Sequence, residues 1–455
     1  MLYIKNTTVI DPIENRLYQA DLQIDQGKIV KIKEYPAGQS TKTKLSKTLS
    51  EEAEESILTQ AQPQVIDTTG AMTAQPQVID ATGLMTAPGL ADTHVHFRDP
   101  GFTYKEDIET GAAAAAKGGF TEIVLMANTK PPVDNLETLR YVLEKGKNTK
   151  IHIETCANVT RGMAGKELVN MKQLAGQGAI GFTDDGIPLM DVQLVREAMM
   201  RAENLRKPIS FHEEDPALIT SNGINEGKAS AFYQVKGSPR EAEISLVKRD
   251  LELALETGAQ VVIQHISCRE TVELIRKAKK KGVHVYGEAT PHHFTLTQDA
   301  VIEKGTLAKM NPPLREEADR LAIIEGLADG TIDVIATDHA PHSQEEKQRP
   351  ITEAPSGIIG LETALSLGIR ELVEKDYLTW PMLIERMSTA PCKLYGLEGG
   401  IIREGARADL VLFHPTEMQT YQHFSSKSDN SPFKNEKMPG VVYYTICDGE
   451  IIYQK

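Results

Sequence analysis

The stretch Asp92-Thr-His94-Val-His96-Phe-Arg98-Asp99-Pro-Gly101 decides how this chain folds. Its centre is His94-x-His96. Side chains two apart on a β-strand point to the same side, so both imidazoles face one spot, about 7 Å apart along the backbone. Such a pair suits two ligands of one metal ion. The segment before it, Leu84-Met-Thr-Ala-Pro88-Gly89-Leu-Ala-Asp92, reads as a turn running into a strand. Pro100-Gly-Phe-Thr103 reads as a loop entering a helix. The histidines therefore sit at a strand's C-terminal end, where α/β barrels place their chemistry. Alone, the pair is equally well two histidines of a surface loop, and the rest of the chain has to decide.

Working outward, the region from 88 to about 345 alternates strand and helix patterns. Strand candidates are Thr121–Met126, Ile151–Thr155, Ala179–Thr183, Pro208–His212, Val261–His265, Val283–Tyr286 and Ile332–Ala336. With the first metal strand they make eight, and eight β-α units over this length predict a (β/α)8 TIM-type barrel, an α/β fold. Polar residues collect at the same end of these strands. His94 and His96 follow the first, Asn128 the second, Asp184-Asp185-Gly186 the fourth, His212 the fifth, His265 the sixth, Asn311 the seventh, and Asp338 with His342 the eighth. A lone histidine is by default a satisfied core or loop residue. Four histidines and two aspartates at one face form a candidate metal centre.

Both termini read differently. Residues 1 to 36 alternate apolar and polar between turn signals at Asp11-Pro12 and Asp25-Gln-Gly27, and 396–455 does the same around Asp448-Gly449. The prediction is a small β-sandwich domain formed by both termini, flanking a barrel over 75–395. Between them, 37–74 is polar, turns acidic at Glu51-Glu-Ala-Glu-Glu55, and contains a duplication. Residues 61–73 recur as 74–86 with a 13-residue period and two differences. Two copies of so short a period are a tandem duplication, not a solenoid. The second copy, which runs into the metal strand, is read as structural, and 37–74 as a flexible insertion.

Composition sets outer limits. The chain has 455 residues, 40% hydrophobic and 25% charged, as expected of a soluble globular protein. Its net charge of -14 argues against nucleic acid as a partner. No apolar run has membrane-spanning length, and Met1-Leu-Tyr-Ile-Lys-Asn lacks a signal-peptide pattern. Cys156, Cys268, Cys392 and Cys447 form no C-x-x-C, so a thiolate zinc site is not expected and a cytoplasmic location is.

These motifs resemble a family. His94-Val-His96-Phe-Arg98-Asp-Pro-Gly, Met126-Ala-Asn128-Thr, Gly181-Phe-Thr-Asp-Asp185-Gly, His212-Glu-Glu-Asp, His265-Ile-Ser, Asn311-Pro-Pro-Leu-Arg315, Thr337-Asp338-His-Ala-Pro-His342 and Gly360-Leu-Glu-Thr are together similar to the type I dihydroorotases of the amidohydrolase superfamily. The resemblance covers nearly the whole chain outside 37–74. Many relatives that open cyclic amides bridge two metals with a carbamylated lysine on strand 4. Here no lysine lies between Lys172 and Lys207, and the strand ends in two aspartates. The resemblance assigns the bridge to Asp185, with Asp184 as the alternative. Two deviations, Ala127 for a usual proline and Ser356 for a usual phenylalanine, lie near the substrate loop.

By this resemblance His94, His96 and Asp338 hold one zinc, His212 and His265 a second, and Asp185 bridges them. The nitrogen and oxygen ligands leave manganese or cobalt as alternatives. The expected reaction is reversible closure of N-carbamoyl-L-aspartate to dihydroorotate in pyrimidine biosynthesis. Hydroxide is the nucleophile for ring opening and Asp338 the general acid and base. Two ions, two aspartates and a hydroxide leave the site at about +1, which favours an anionic substrate. Arg98 is expected to grip its carboxylate with Asn128 and His342, while Asn311 and the Ser356-Gly357 backbone contact the ring. A homodimer and association with an aspartate carbamoyltransferase are the expected assembly. The competing readings are another cyclic amidase, such as an allantoinase or dihydropyrimidinase, and a barrel that has lost its chemistry and serves as a scaffold. The missing strand-4 lysine and the presence of Arg98 disfavour the first, and the full ligand set disfavours the second. His152, His284, His292, His293, His414 and His423 receive no chemical role.

Overall fold

The computed structural model describes residues 1–36 and 76–455. The expected insertion at 37–74, with the first repeat copy, lies outside the described residues.

Three N-terminal strands, β1 (Leu2–Asp11), β2 (Arg16–Asp25) and β3 (Lys28–Glu34), form an antiparallel meander. The second repeat copy supplies β4 (Gln77–Asp80) and leads into β5 (Met85–Pro88), both parallel to β1. The barrel then contributes β6 (Leu90–Val95), β7 (Phe120–Leu125), β8 (His152–Thr155), β9 (Phe182–Thr183), β10 (Ile209–Phe211), β11 (Val261–Ile263), β12 (Val285–Ala289) and β13 (Val334–Ile335). The C-terminus returns as β14 (Leu410–Thr420), β15 (Lys437–Cys447) and β16 (Glu450–Gln454). The terminal strands form one eight-stranded sheet in the order β16-β15-β14-β5-β1-β2-β3, with β4 on β1. Gln77–Pro88 thus belongs to the terminal sheet, and the barrel opens at Leu90 rather than at 75. The alternation of this segment had been assigned wholly to the barrel approach, but its ladder partners are β1 and β14.

Period-two alternation explains how that sheet serves two cores. On β14, Leu410 and Leu412 join Ile4, Leu22 and Ile446 in a core of the terminal domain, while Val411 and Phe413 pack into the main barrel core. The barrel strands are parallel in two hydrogen-bonded arcs, β6-β7-β8 and β9 to β13. Single bonds close the two gaps: His96 N–H to the His339 carbonyl at 2.9 Å, and Ala157 N–H to the Gly181 carbonyl at 3.0 Å. The paired segments are shorter than the apolar runs that foretold them, because flanking residues such as Ala179 are buried without laddering.

The outer helices follow their sequence signals. Helix Ile108–Gly118 starts at Asp107, whose side chain caps Thr110 N–H, and stops at Gly119 in the left-handed region. Helix Arg269–Lys280 buries Thr271, Val272, Ile275 and Ala278 at helical spacing and carries Lys277, Lys279 and Lys280 in its last turn. Gly89 joins the terminal sheet to the barrel. A Cβ there would fall 2.2 Å from Thr121 Oγ1, so only glycine lets β5 and β6 run on past β7. Among the described residues no helix is long and apolar enough to cross a membrane.

Candidate metal centre

The C-terminal ends of β6, β9, β10, β11 and β13 bring His94, His96, Asp185, His212, His265 and Asp338 together, all buried. Asp185 sits at the middle. Its Oδ1 lies 3.4 Å from His94 Nε2, 3.7 Å from His212 Nδ1 and 3.8 Å from His265 Nε2, and its Oδ2 lies 3.5 Å from His96 Nε2. Asp338 Oδ1 is 3.0 Å from His96 Nε2 and 3.6 Å from His94 Nε2. Three of the residues named here, Arg98, His265 and Asp338, hold their backbones at positive φ, an unusual conformation for residues with side chains that aims these groups into the pocket.

The outer contacts of the rings set their tautomers. His96 Nδ1 donates to Asn128 Oδ1 at 2.9 Å, which leaves the Nε2 lone pair facing Asp338. His94 Nδ1 donates to Glu288 at 2.9 Å, and its Nε2 also faces inward as a lone pair. His212 Nε2 donates to Glu214 at 3.2 Å and presents Nδ1 to Asp185. Carboxylate or amide partners that orient ligating imidazoles in this way are the usual second layer of a metal site.

This donor set fits metal ions. Lone pairs of imidazoles and carboxylates face each other with no hydrogen between them, and His94 Nε2, Asp185 Oδ1 and His265 Nδ1 are buried without hydrogen-bond partners. Two ligands each about 2.0–2.1 Å from one zinc in tetrahedral geometry lie about 3.3 Å apart, close to the separations above. Two triads, His94–His96–Asp338 and His94–Asp185–His265, have ligand atoms within 4.8 Å of one another. The electrostatics agree. Burial opposes a charge on His94, but Glu288 and Asp185 outweigh it and raise its pKa well above the ordinary histidine value. Burial likewise opposes ionisation of Asp185, yet His94, His212 and His265 hold its carboxyl well below the usual range. A field that would draw a proton here draws a metal cation equally.

Asp184 is turned away from this cluster. It accepts the Val159 N–H at 2.9 Å, the Thr160 N–H at 3.2 Å and the Thr160 hydroxyl, so it braces a loop. His292 and His293 stay outside as well. His293 is tied to Thr290 Oγ1 at 2.8 Å and to the Pro312 carbonyl at 3.0 Å, and burial pushes His292 down to about 4.

Beside the cluster lies Arg98. Its Nε donates to the Pro341 carbonyl at 3.3 Å, and it forms no ion pair among the described residues. His342 Nε2 lies 2.9 Å from the Ser356 carbonyl. Asn311 reaches the His212 ring at 3.2 Å, and its Oδ1 is buried without a partner. Asn128, expected in a carboxylate clamp, has its amide committed elsewhere. Besides accepting from His96, it donates to Asp185 Oδ2 at 3.0 Å.

Sequence reasoning missed several members. Glu288 lies on β12 beyond the apolar run that marked the strand, although a glutamate before Ala289 in a barrel strand was itself a signal. Lys309 and Lys347 were also missed. Their buried ammonium groups donate to the carbonyls of Ala354 (2.7 Å), and of Pro355 (2.9 Å) and Gly357 (3.1 Å), which shapes the loop at Ser356. Burial pulls Lys309 down to about 8, and burial beside Lys309 pulls Lys347 down to about 7. Gly357 has φ +110, and a Cβ on it would lie 2.7 Å from Ala340 Cβ.

A (β/α)8 barrel with four histidines and two aspartates converging at its strand ends is a metal-dependent hydrolase. Comparison with known proteins agrees. The profile described as the amidohydrolase family matches residues 85–452. Full-length relatives are a dihydroorotase of Clostridioides difficile, 52% identical over 453 residues, and one of Clostridium acetobutylicum, 45% identical over 456, each covering 100% of both chains. Among solved structures, the L-hydantoinase (dihydropyrimidinase) of Arthrobacter aurescens superposes with a TM-score of 0.81 at 24% identity, covering 100% of this chain and 96% of that one. The dihydropyrimidinase of Brevibacillus agri gives 0.79 at 24%, covering 99% and 95%. The chain belongs to the amidohydrolase family, in its dihydroorotase branch.

Proposed function

We propose that this enzyme interconverts N-carbamoyl-L-aspartate and (S)-dihydroorotate with loss or gain of water, the ring-forming step of de novo pyrimidine biosynthesis. The observation that carries the reading is Arg98. It is a guanidinium without a carboxylate partner among the described residues, beside a cluster built to hold metal. A substrate carboxylate next to the scissile amide supplies the missing anion.

His94, His96 and Asp338 would hold one zinc ion, His212 and His265 a second, and Asp185 both. Bound there, zinc supplies Lewis acidity and lowers the pKa of water toward neutrality. Asp338 then has the proton work. Burial would raise its pKa, but His96, His94 and His265 outweigh that and hold it below the usual range, so it begins as a carboxylate able to accept a proton. In ring opening it receives the proton of the attacking water and returns it to the leaving ring nitrogen; in ring closure it runs in reverse. Arg98 and His342 fix the substrate carboxylate, with Asn128 bracing His96 and Asp185 at the border of the pocket. Asn311 and the Ser356-Gly357 backbone border the ring. The reading includes a cytoplasmic homodimer working with an aspartate carbamoyltransferase, which produces N-carbamoyl-aspartate.

The test is a substrate comparison with zinc-loaded protein. Dihydroorotate absorbance in the short ultraviolet should fall, while allantoin and dihydrouracil turn over poorly. Faster turnover of dihydrouracil would overturn the reading. Light scattering on the eluted protein tests the dimer.

A further inference from the structure

His342 is held on both sides of its ring. Nε2 lies 2.9 Å from the Ser356 carbonyl oxygen, and Nδ1 lies 3.3 Å from the ammonium of Lys105. A carbonyl only accepts a hydrogen bond, and an ammonium only donates one. Both contacts are satisfied by one form of the ring alone: neutral, with its hydrogen on Nε2 and its lone pair on Nδ1. Lys105 is itself fixed. Its ammonium is 2.9 Å from Glu346 Oε1, which also accepts the Tyr104 hydroxyl at 3.0 Å. The Phe102 and Tyr104 rings flank it, with centroids at 5.4 and 5.6 Å. Arg98 Nη2 lies 3.5 Å from His342 Nε2. In this tautomer both atoms carry hydrogen, so they do not bond each other. They offer two donors at one place.

We propose that Lys105 is a positioning residue for the substrate carboxylate: by occupying Nδ1 it fixes His342 in the Nε2–H tautomer, so that His342 and Arg98 present paired donors to the anion. The proposal rests on the carboxylate role given to Arg98 above. Glu346 Oε2 lies 3.6 Å from His342 Nδ1, beyond a good hydrogen bond. Without the Lys105 ammonium, Glu346 becomes the acceptor for an Nδ1–H. The ring then shows a lone pair at Nε2, and attraction for a carboxylate turns into repulsion. Burial and the cations Arg98, Lys105 and Lys347 push the His342 pKa far down, so the alternatives are two neutral tautomers.

The experiment uses the zinc-loaded enzyme. Lys105→Met should raise KM for dihydroorotate on the order of tenfold and leave kcat within about twofold, the signature of lost binding rather than lost chemistry. Lys105→Arg, which keeps a donor at Nδ1, should recover most of the affinity. The 15N spectrum of histidine-labelled enzyme, with His342 assigned by its loss in His342→Asn, reads the tautomer directly. The wild type should show Nε2–H, and Lys105→Met should shift it toward Nδ1–H. An unchanged KM in Lys105→Met, or an Nδ1–H ring in the wild type, overturns the proposal, and the second result needs no variant to fold. Arg98→Met separates the two levels of argument. If it too leaves KM unchanged, the carboxylate reading fails. If it raises KM while Lys105→Met does not, only the tautomer assignment falls.

Discussion

Arg98 stands where three kinds of reasoning meet: sequence neighbour of His96, guanidinium without a carboxylate, and nearest cation to His342. Replacing it by Met removes charge-assisted hydrogen bonds of about 1.5–3 kcal/mol. kcat/KM for dihydroorotate should fall roughly ten- to a hundredfold, mostly through KM, in a steady-state ultraviolet assay. Asp338 makes the opposite prediction. Asp338→Asn keeps the shape but cannot accept a proton, so turnover should vanish while circular dichroism is unchanged; near-normal activity would remove the proton shuttle. Glu288 acts from behind. It orients His94 through Nδ1 at 2.9 Å and accepts the His265 N–H at 3.0 Å. Glu288→Gln should weaken metal affinity about ten- to a hundredfold, measured as zinc retained against a graded chelator series.

At the scale of elements, the barrel strands were legible because buried parallel strands are apolar runs punctuated by turns, and their polar ends stand out against them. Choosing between Asp184 and Asp185 needed the turn itself, since neighbouring residues there face opposite ways. The β5–β6 junction was misplaced for a different reason. Alternation identifies a strand but not its partner, and Met85–Pro88 pairs with β1 and β14 while Leu90–Val95 pairs with β7. Gly89 is the residue that allows this. Gly89→Ala forces a methyl group onto Thr121, an overpacking that typically costs about 1–3 kcal/mol. The midpoint of urea unfolding should fall with no change in the metal ligands. An unchanged midpoint would mean that β7 moves aside freely.

Over the whole molecule, the barrel and the terminal sheet share a core. Met85, Ala87, Val411, Phe413 and Val442 of the sheet pack in the same cluster as Leu90, Ile123 and Phe182 of the barrel. Two units joined by so much apolar contact should unfold together. Calorimetry of the metal-loaded protein should show one transition, and two resolved transitions would mean that the terminal sheet is an independent unit.

The sequence by itself determined the class of fold, the six metal-type residues, and Arg98 as a reader of anions. These follow from periodicity and from chemistry-bearing residues falling at strand ends, which are local properties of the chain. Only the tertiary structure decided which nitrogen of each imidazole faces inward, that Asp185 enters the cluster and Asp184 leaves it, and that Asn128 braces His96. It also brought Glu288, Lys105, Lys309 and Lys347 to the site from separate parts of the chain. A tautomer or a buried ammonium is set by what stands opposite it, and that partner is chosen by closure of the barrel, not by spacing along the sequence.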